Sequence, residues 1–566
     1  MRFVPWLPSV LVLAGGCTLP ERPNGPSPQG IDDDADRRRD DARGRRGGDA
    51  PEVDGREVRT FDGSANNLAN PDWGATFAHL SRLAPADYAD GRSAMAGPDR
   101  PSARAVSNAV AHQGEDVDDP NPFGASDFVW QWGQFIDHDV GLTDGIAESA
   151  PIVVPTGDAW FDPTGTGAQL IPFNRALFDP ATGSTSPREQ ENEITAWIDA
   201  SMVYGSSEAR ADALRVSPTS PLLATSEGDR LPFNTAGLTN ANGFVTDPAD
   251  LFLAGDVRAN EQVGLATLHT LFVREHNRLV RQLQDDRPDA DGESIYQQAR
   301  RLVAAEIQII TYQEFLPALI GPGALPAYRG YDASVHPGLF NAFSVAAFRL
   351  GHSMVNAELR RIDRRGRTIS AGDLDLREAF FTAPSVLRDE DDVEPILRGL
   401  ASQRHQRLDI RVVAPLRNFL FGEPGSGGLD LVALNVQRGR DHGVPSYVAV
   451  REAMGLGSAT SFADITSDAG LQQALAAVYG EVGEVDLWVG GLAEDPLTAQ
   501  GSQVGPLFRA LLVKQFAALR DGDRFWHEVD LEPDELDRVQ GTTLARVIRR
   551  NTDIDDELAD DVFHVP

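Results

Sequence analysis

Apolar residues spaced three and four positions apart recur through the middle of this chain, and this helical period constrains the fold most strongly. Two successive stretches follow it: Leu265, Leu268, Phe272, His276 and Leu279, then Leu302, Ala305, Ile309, Tyr312 and Leu316. Side chains at these spacings share one face of a helix, which packs against other elements. Alternation typical of strands is scarce, and the segments at 216–252 and 421–428 are rich in Gly and Pro. The sequence therefore predicts one large, mainly α domain with little β structure, in which a site lies between helices.

The first 56 residues differ in composition from the remainder. Residues 1–16 begin with one positive charge, continue with an apolar run and end in small residues, which is typical of an export signal. Residues 18–56 contain almost no large apolar side chain, so they cannot bury enough surface to offset the entropy of ordering. We therefore predict a signal peptide at 1–17, a disordered charged linker at 18–56 and one folded domain at 57–566.

Cys17 is the only cysteine of the chain, so no intrachain disulfide can form. It follows Ala14, Gly15 and Gly16 in a pattern that resembles the lipidation site of bacterial lipoproteins, although Leu13 lies one place further from the cysteine than the usual leucine. A lipid anchor at Cys17 and a plain cleaved signal peptide both stay open. The anchor is favoured because the chain uses cysteine nowhere else. Either alternative predicts an exported protein, secreted or anchored to the cell envelope.

The formal net charge of −34 indicates a highly soluble protein. Because such a charge repels phosphate groups, it argues against a nucleic acid or an anionic membrane as partner.

The segment QWGQFIDHD at 131–139 places several polar side chains on one face of a predicted helix. Gln134, Asp137 and His138 are related by three- and four-residue steps, so they point the same way. An amide, a carboxylate and an imidazole suit a reactive pocket better than a core, although one such histidine alone is compatible with a hydrogen-bonded core residue. Asp139 is turned about 100° away by the helical period and must serve something else.

The segment TAWIDAS at 195–201 offers oxygen atoms at alternate positions. In a loop or extended segment Thr195, Asp199 and Ser201 face the same way, with the carbonyl of Trp197 between them. Hard oxygen ligands of this kind suit calcium, and Asp139 would add a second carboxylate. A capped turn is the alternative interpretation of the same residues.

Three further segments combine charged and imidazole side chains: LAGDVRANEQ at 253–262, FRLGHS at 348–353 and LNVQRGRDHG at 434–443. In the first, Arg258 and Glu261 lie one helical turn apart, which a local ion pair worth well under about 1 kcal/mol would also explain. In the second, His352 lies among apolar residues, and the neighbouring Gly351 permits close approach of another group.

In this order the five segments resemble those of the animal-type haem peroxidases, the family of myeloperoxidase, lactoperoxidase and peroxidasin within the peroxidase–cyclooxygenase superfamily. The resemblance runs from about Arg59 to Phe563 and includes DLWVGG at 486–491 and LRDGDRFW at 519–526. Each motif is several residues long, so chance agreement of all of them is negligible. The resemblance implies a single haem-peroxidase domain, with haem embedded between helices, in an exported bacterial form.

The resemblance assigns roles around a haem b. His138 would lie on the peroxide side, taking a proton from hydrogen peroxide and returning it to the leaving oxygen. Arg258 would stabilise the charge that develops as the O–O bond breaks, and Gln134 would line the same cavity. His352 would bind the haem iron from the other side. Asn435 would accept a hydrogen bond from the second ring nitrogen of that histidine.

Other residues would contact the edge of the haem and influence which electron donors it oxidises. Arg438 would meet a propionate, and Asp137 and Glu261 match carboxylates that become ester-bonded to haem methyl groups. Gln262 departs from myeloperoxidase, which uses a methionine there for a sulfonium bond, and follows lactoperoxidase. This argues against strong chloride oxidation and leaves iodide, bromide, thiocyanate and small phenols as electron donors.

The resemblance also implies a calcium site. Its residues would be Asp139, Thr195, Trp197, Asp199 and Ser201. Because Asp139 directly follows His138, loss of calcium should disturb catalysis as well as stability.

Two other functions compete with a peroxidase. A fatty-acid dioxygenase or cyclooxygenase would share the fold, but cyclooxygenases carry a radical-forming tyrosine three residues before the iron-binding histidine, where this chain has Arg349. A non-catalytic, peroxidase-like surface adhesion protein is disfavoured because every expected catalytic residue remains. The other histidines, among them His276 and His442, are predicted to be structural.

Overall fold

The computed structural model describes Arg39 and residues 50–566, apart from 115–116, 244, 390–391 and 426. The predicted signal peptide with Cys17, and the predicted linker before residue 50 apart from Arg39, lie outside the described residues.

Helices dominate the described part of the chain. The α-helices are α1 (Ala103–Val110), α2 (Phe128–Val140), α3 (Ser201–Tyr204), α4 (Glu208–Leu214), α5 (Val263–Asp286), α6 (Gly292–Ile310), α7 (Leu316–Ile320), α8 (Asn341–Val345), α9 (Leu376–Ala379), α10 (Ala383–Asp389), α11 (Glu394–Ser402), α12 (Ala414–Asn418), α13 (Leu431–Asp441), α14 (Tyr447–Ala453), α15 (Ala469–Tyr479), α16 (Leu487–Ala493), α17 (Pro506–Asp521), α18 (His527–Asp530), α19 (Pro533–Val539) and α20 (Leu544–Asn551). Short 3-10 helices lie at Pro248–Asp250, Ala347–Ser353, Phe462–Asp464, Val482–Glu484 and Thr498–Gln500.

The β-strands among the described residues form two-stranded antiparallel pairs, and isolated bridges add a few further contacts. The strands are β1 (Glu52–Val53), β2 (Arg56–Glu57), β3 (Ala78–His79), β4 (Gly145–Ser149), β5 (Ile152–Val153), β6 (Leu170–Ile171), β7 (Asn174–Ala176), β8 (Glu191–Asn192), β9 (Glu358–Leu359) and β10 (Leu374–Asp375). They pair as β1–β2, β3–β8, β4–β7, β5–β6 and β9–β10. The prediction of a mainly α domain with little β structure is confirmed.

Both predicted apolar faces belong to long helices that pack against each other. The first face lies on α5, and all five of its residues are buried. The second lies on α6 and continues through a π-helical turn at Thr311–Phe315 into α7. Pro317 follows that turn. Because proline has no N–H, one helical hydrogen bond is missing there, and a widened π turn is tolerated at such a position.

Helix α2 is anchored to this pair by its aromatic face. The rings of Trp132 and Phe135 lie 5.7 and 5.4 Å from that of Phe272 on α5. The indole nitrogen of Trp132 donates to the hydroxyl of Thr311 in the π turn, at 3.1 Å. With this face fixed in the core, the opposite face of α2 is left to line a cavity.

The folded domain begins earlier than the predicted boundary at residue 57. Strands β1 and β2 form a hairpin, and Arg56 in it pairs with Glu535 at 2.7 Å. The backbone carbonyl of Glu57 accepts a hydrogen bond from Arg301 on α6 at 2.7 Å. Composition alone missed this segment because ion pairs and hydrogen bonds, rather than a large apolar side chain, hold it in place. None of the helices in the described part of the chain has the length and apolar character required to cross a bilayer.

Candidate active site

Helix α2 directs Gln134, Asp137 and His138 to one side, as the helical period predicts. The amide nitrogen of Gln134 donates to Glu261 Oε2 at 3.2 Å, and His138 Nε2 lies 3.9 Å from the same oxygen. Asp137 Oδ2 lies 3.8 Å from Arg258 Nη1. Segments more than a hundred residues apart in sequence therefore meet at this face.

Arg258 pairs with a carboxylate that sequence reasoning did not single out. Its guanidinium donates to both oxygens of Asp256, from Nε to Oδ1 at 2.9 Å and from Nη2 to Oδ2 at 2.8 Å. The same Nη2 donates to the carbonyl of Gly141, just after α2, at 2.9 Å. The local ion pair with Glu261 that the spacing suggested is replaced by this pair, because residues 256–260 form turns instead of a helix.

Asp256 also approaches the histidine. Its Oδ1 lies 3.5 Å from His138 Nδ1. Burial, reinforced by the charge of Arg258, holds the pKa of His138 well below its usual range. Burial alone would raise the pKa of Asp256, but Arg258 and His138 hold it far below its usual range. The site thus presents a neutral imidazole beside an ionised carboxylate. The helical period could not predict that Asp256 pairs with Arg258, because residues two positions apart on a helix point in different directions.

Asp137 and Glu261 line an internal cavity. The side chain of Asp137 is 37% accessible and that of Glu261 is 28% accessible. Yet burial raises the pKa of Asp137 to about 6 and that of Glu261 to about 7. Groups that are accessible but strongly desolvated border an enclosed space surrounded by protein. Both carboxyls are therefore partly protonated near neutral pH.

A chain of amides fixes the glutamine of this face. The Gln262 side-chain nitrogen donates to Gln131 Oε1 at 2.6 Å and to Gln134 Oε1 at 3.1 Å. Gln262 Oε1 accepts from the backbone N–H of Gly264 and caps the start of α5. Because the oxygen of Gln134 is taken, its amide nitrogen is the group directed toward Glu261 and the cavity.

His352 lies on the 3-10 helix Ala347–Ser353, which packs against α2. Burial, followed by the charge of Arg349, lowers the pKa of His352 to about 3. Its Nδ1 lies 2.8 Å from Asn435 Nδ2 on α13, and Arg349 Nη1 donates to Asn435 Oδ1 at 3.3 Å. The side-chain amide of Asn435 thus lies within hydrogen-bond distance of the second ring nitrogen of His352, and the roles of donor and acceptor depend on the tautomer of the imidazole.

Two arginines border the cavity beside His352. Arg438 donates to Asp441 at 2.9 Å and stacks over the ring of Phe173 at 4.4 Å. Arg349 bonds only neutral acceptors, the amide of Asn435 and the carbonyl of Ser344, and no carboxylate of the described chain lies within 4.0 Å of it. Burial, followed by repulsion from Arg438, lowers the pKa of Arg349 to about 10. The charge of Arg349 also acts on the Asp137 carboxyl, so the segments that bear His352 and His138 lie near each other.

Four of the five residues predicted to bind calcium lie within hydrogen-bond distance of one another. Ser201 Oγ donates to Asp139 Oδ1 at 3.0 Å, and the Ser201 backbone N–H donates to Asp199 Oδ1 at 3.0 Å. Thr195 Oγ1 donates to Asp199 at 3.2 Å. The indole nitrogen of Trp197 donates to the carbonyl of Gly63, a contact that does not involve its backbone carbonyl, which is the predicted ligand. Burial raises the pKa of both Asp139 and Asp199, most strongly for Asp139 beside the charge of Asp199.

Two other histidines, predicted to be structural, lie in polar contacts of the core. His276 is bonded through both ring nitrogens, to the hydroxyl of Tyr204 and to the carbonyl of Pro221, each at 2.8 Å. His442 Nδ1 lies 2.7 Å from the amide oxygen of Asn341.

Comparison with known proteins places this arrangement in one family. The family model described as animal haem peroxidase matches residues 58–563. Peroxidasin of Drosophila melanogaster is 35% identical over 553 residues, covering 89% of this chain and 36% of that protein. Peroxinectin A of Dictyostelium discoideum is 36% identical over 509 residues, covering 88% of this chain and 93% of that protein. The chain thus spans little more than a third of peroxidasin but nearly all of peroxinectin A.

Solved structures agree with this placement. Peroxidase A from Dictyostelium discoideum has a TM-score of 0.83 at 33% identity, covering 90% of this chain and 100% of that one. A fatty acid alpha-dioxygenase of Arabidopsis thaliana has a TM-score of 0.75 at 21% identity, covering 90% and 83%, and shares the fold alone. The chain therefore belongs to the animal haem peroxidase family, and its domain is that of a peroxidase oxidoreductase.

Proposed function

We propose that this protein is an exported haem peroxidase that reduces hydrogen peroxide and oxidises small anions or phenols. The observation that carries the proposal is the convergence of three segments: the helix of His138 packs against the 3-10 helix of His352, and the guanidinium of Arg258 lies 3.8 Å from Asp137 on the same helix as His138. A proton acceptor, a fixed positive charge and a metal-binding imidazole are the groups that peroxide reduction at haem requires.

The cavity suits a flat, anionic group such as haem b. The buried charge of Arg349 has no carboxylate within ion-pair distance in the described chain, and Arg438 adds a second positive charge beside it. A Cβ atom added at Gly351 or Gly439 would meet nothing within 4 Å, so space is open next to His352 and Arg438. Haem propionates would supply the missing negative charge. On this basis we assign His352 to the iron and Arg438 to a propionate.

The residues on the α2 side then act on the peroxide, while the bound haem supplies the redox chemistry. His138 takes the peroxide proton at Nε2, the ring nitrogen on the side of the cavity-lining Glu261, and delivers it to the leaving oxygen. Arg258 holds positive charge next to the oxygen that becomes negative, a contribution worth roughly 3–4 kcal/mol in comparable sites. Gln134 directs an N–H into the same space and orients water or an anionic donor.

Asp137 and Glu261 are proposed to form ester bonds with the haem. Both carboxyls are accessible from the cavity, and burial raises the pKa of both. Each ester would replace a C–H bond of a haem methyl with a C–O bond to the carboxyl, and hydrogen peroxide, the proposed substrate, would accept the two electrons and be reduced to water. Ester bonds would keep the haem attached to the protein in acidified organic solvent.

A calcium ion is proposed to join Asp139 and Asp199. Both carboxylates are buried, and the charge of Asp199 raises the pKa of Asp139. The hydroxyls of Thr195 and Ser201 lie next to them, so together they form the donor set that a hard cation prefers. The ion would hold the end of α2 against residues 195–201, which fixes the helix that bears His138.

The two competing functions differ from the peroxidase at identifiable points. A dioxygenase that uses a tyrosine three residues before the iron-binding histidine is disfavoured, because Arg349 stands there and bonds Asn435. A surface adhesion protein would need no peroxide chemistry, so the reaction with peroxide separates the two. With Gln262 engaged in the amide chain, we expect iodide, bromide, thiocyanate or small phenols to be the electron donors.

Export is proposed from the first 17 residues, with a lipid on Cys17. Mass spectrometry of the mature N-terminus tests the anchor. Cleavage at another position, or an unmodified cysteine, would remove it.

The test of the function is the visible absorption spectrum of haem-loaded, calcium-replete protein before and after one equivalent of peroxide. We expect a Soret band that shifts with peroxide and returns on addition of bromide, thiocyanate or a phenol. His352→Ala is the matched variant and should lose the band or its response. A folded wild type that binds no haem, or binds haem and ignores peroxide, contradicts the proposal and supports the adhesion alternative.

A further inference from the structure

We propose that Asp256 is the positioning residue of the peroxide side, one buried carboxylate that holds the guanidinium of Arg258 and orients the imidazole of His138. The inference rests on the proposed function and assigns a role to a residue that neither catalysis nor haem binding had claimed.

The backbone at Asp256 is held rigidly. The Asp256 N–H donates to the carbonyl of Met202 at 3.0 Å. A Cβ atom at the preceding Gly255 would lie 2.3 Å from the carbonyl oxygen of Ser201, so only glycine allows this contact. The turn that carries Asp256 is therefore pressed against the start of α3, and the carboxylate cannot retreat from the site.

Asp256 gives Arg258 one preferred position. Its two oxygens accept from two guanidinium nitrogens, and Oδ1 also accepts from the backbone N–H of Arg258 at 2.8 Å. The guanidinium lies 3.8 Å from Asp137, and Glu261 also acts on its charge. Without Asp256, either of these cavity-lining carboxyls would draw Arg258 out of place, since bidentate pairing is the stronger geometry.

The same carboxylate faces the outer nitrogen of His138. His138 Nδ1 is buried and has no hydrogen-bond partner, and Asp256 Oδ1 at 3.5 Å is an acceptor close to it. A small ring rotation closes this gap, as often happens when a catalytic site fills. A proton held on Nδ1 leaves the lone pair on Nε2, the nitrogen on the cavity side. This is the arrangement by which a buried carboxylate fixes the tautomer of a general base.

No other group around His138 can replace Asp256. The titratable and charged neighbours are Asp137 on the same helix, Arg258 and Glu261 on the loop, and His269 on α5. Glu261 lies on the other side of the ring, 3.9 Å from His138 Nε2, and the Asp137 carboxyl lies 3.8 Å from the guanidinium of Arg258. Arg258 is a cation, and burial lowers the pKa of His269 to about 4, so that imidazole is neutral. Asp256 alone combines full ionisation with a place beside Nδ1.

Asp256→Asn tests this role in the haem-loaded protein, because it keeps the shape of the side chain and removes the charge. We expect the second-order rate with peroxide to fall by about 100-fold, the lower range of general acid–base contributions. The affinity of the ferric protein for cyanide, followed by the Soret shift, should fall by about 10-fold or more, because hydrogen cyanide also gives its proton to the base. The KM for the electron donor should not change. Asp256→Glu, which keeps the charge, should recover part of both losses.

Glu275→Gln is the matched control for loss of a buried carboxylate. Glu275 also holds an arginine through both oxygens, Arg278 at 2.7 and 2.9 Å, but on the far part of α5. The Glu275→Gln variant should lower the melting temperature and leave the peroxide rate and cyanide affinity at wild-type values.

Wild-type values in Asp256→Asn, or equal losses in Asp256→Glu and Asp256→Asn, overturn the inference. If Asp256→Asn takes up no haem, the comparison of Asp256→Glu with wild type decides: unchanged rate and affinity overturn it, and an intermediate loss supports it. A wild type that binds cyanide but ignores peroxide would defeat the proposed function, and the cyanide comparison would still decide the role of Asp256.

Discussion

The two sides of the cavity carry opposite charge patterns. On the α2 side, the carboxyls of Asp137, Asp256 and Glu261 surround one arginine, Arg258. On the opposite side, Arg349 and Arg438 lie next to His352, and Arg349 meets no carboxylate in the described chain within ion-pair distance. On the first side the cation is paired with a carboxylate of the protein, whereas on the second Arg438 is paired with Asp441 and Arg349 has no carboxylate of the described chain within ion-pair distance.

This difference separates two tasks. A side that is complete in itself can hold a base and a cation in fixed positions before any substrate arrives, which is the condition for electrostatic stabilisation of a reaction. A desolvated cation without a close carboxylate, such as Arg349, is completed by an anionic ligand, and part of the cost of its desolvation is recovered when the ligand binds. The α2 side thus suits proton transfer, and the His352 side suits the binding of an anionic ligand.

The largest effect should come from removing the histidine of each side in turn. His138→Ala should leave haem bound with an unchanged resting Soret band, while the rate with peroxide falls by about 1,000-fold, within the usual range for loss of a general acid–base group. His352→Ala should instead abolish stable haem binding. Stopped-flow absorption and haem content measure the two quantities. A variant of His138 that loses haem, with His352→Ala retaining it, would reverse the comparison.

The two cavity arginines should divide in the same way. Arg258→Ala should slow the peroxide reaction by about 100- to 1,000-fold, corresponding to the roughly 3–4 kcal/mol of one fixed donor, with haem affinity nearly unchanged. Arg349→Ala should weaken haem affinity and change the peroxide rate of the loaded protein only slightly. Haem titration of the apoprotein, followed by stopped-flow kinetics, separates these outcomes. Equal effects of both variants on the peroxide rate would show that the sides are not divided by task.

Removal of calcium should affect the α2 side more than the His352 side. A chelator should lower the melting temperature by several degrees and slow the peroxide reaction, because the end of α2 loses its tie to residues 195–201. Asp199→Asn should abolish the response to the chelator. Asp179→Asn is the control, because His79, Asp179 and Glu191 place their ligand atoms within 4.8 Å of one another at a second place. If Asp179→Asn abolishes the response and Asp199→Asn does not, calcium binds there instead.

The smallest effect concerns a histidine outside the cavity. Burial lowers the pKa of His276 to about 4. The unfolded chain takes up a proton on this residue at a higher pH than the folded chain does, so its contribution to stability is present above pH about 6.5 and is lost as the pH falls toward 4. Melting temperatures between pH 7 and 4.5 should therefore fall less in His276→Gln than in wild type. Parallel curves would contradict this assignment.

Much of the site could be predicted because regular helices translate sequence spacing into direction. The steps from Gln134 to His138 fix which side chains share a face of α2, and they place Asp139 on another face, where it meets Ser201. The apolar periods of α5 and α6 predict the long helices that carry the core. The hairpin at 50–57 was missed, because composition reports apolar burial and this segment is held by ion pairs and hydrogen bonds with distant residues.

The sequence by itself determined the fold class and the family and singled out His138 and His352 as candidates, because these depend on local period and on motifs several residues long. The tertiary structure alone decided the partner of Arg258, the contact of Arg349 with the Asn435 amide and the lack of a close carboxylate for Arg349 in the described chain. Each of these depends on which donors and acceptors meet in space. Asp256 meets His138 across 118 positions of the chain, and Arg349 meets Asn435 across 86. Hydrogen bonding and charge act over a few ångströms, so the folded chain must first bring these groups together.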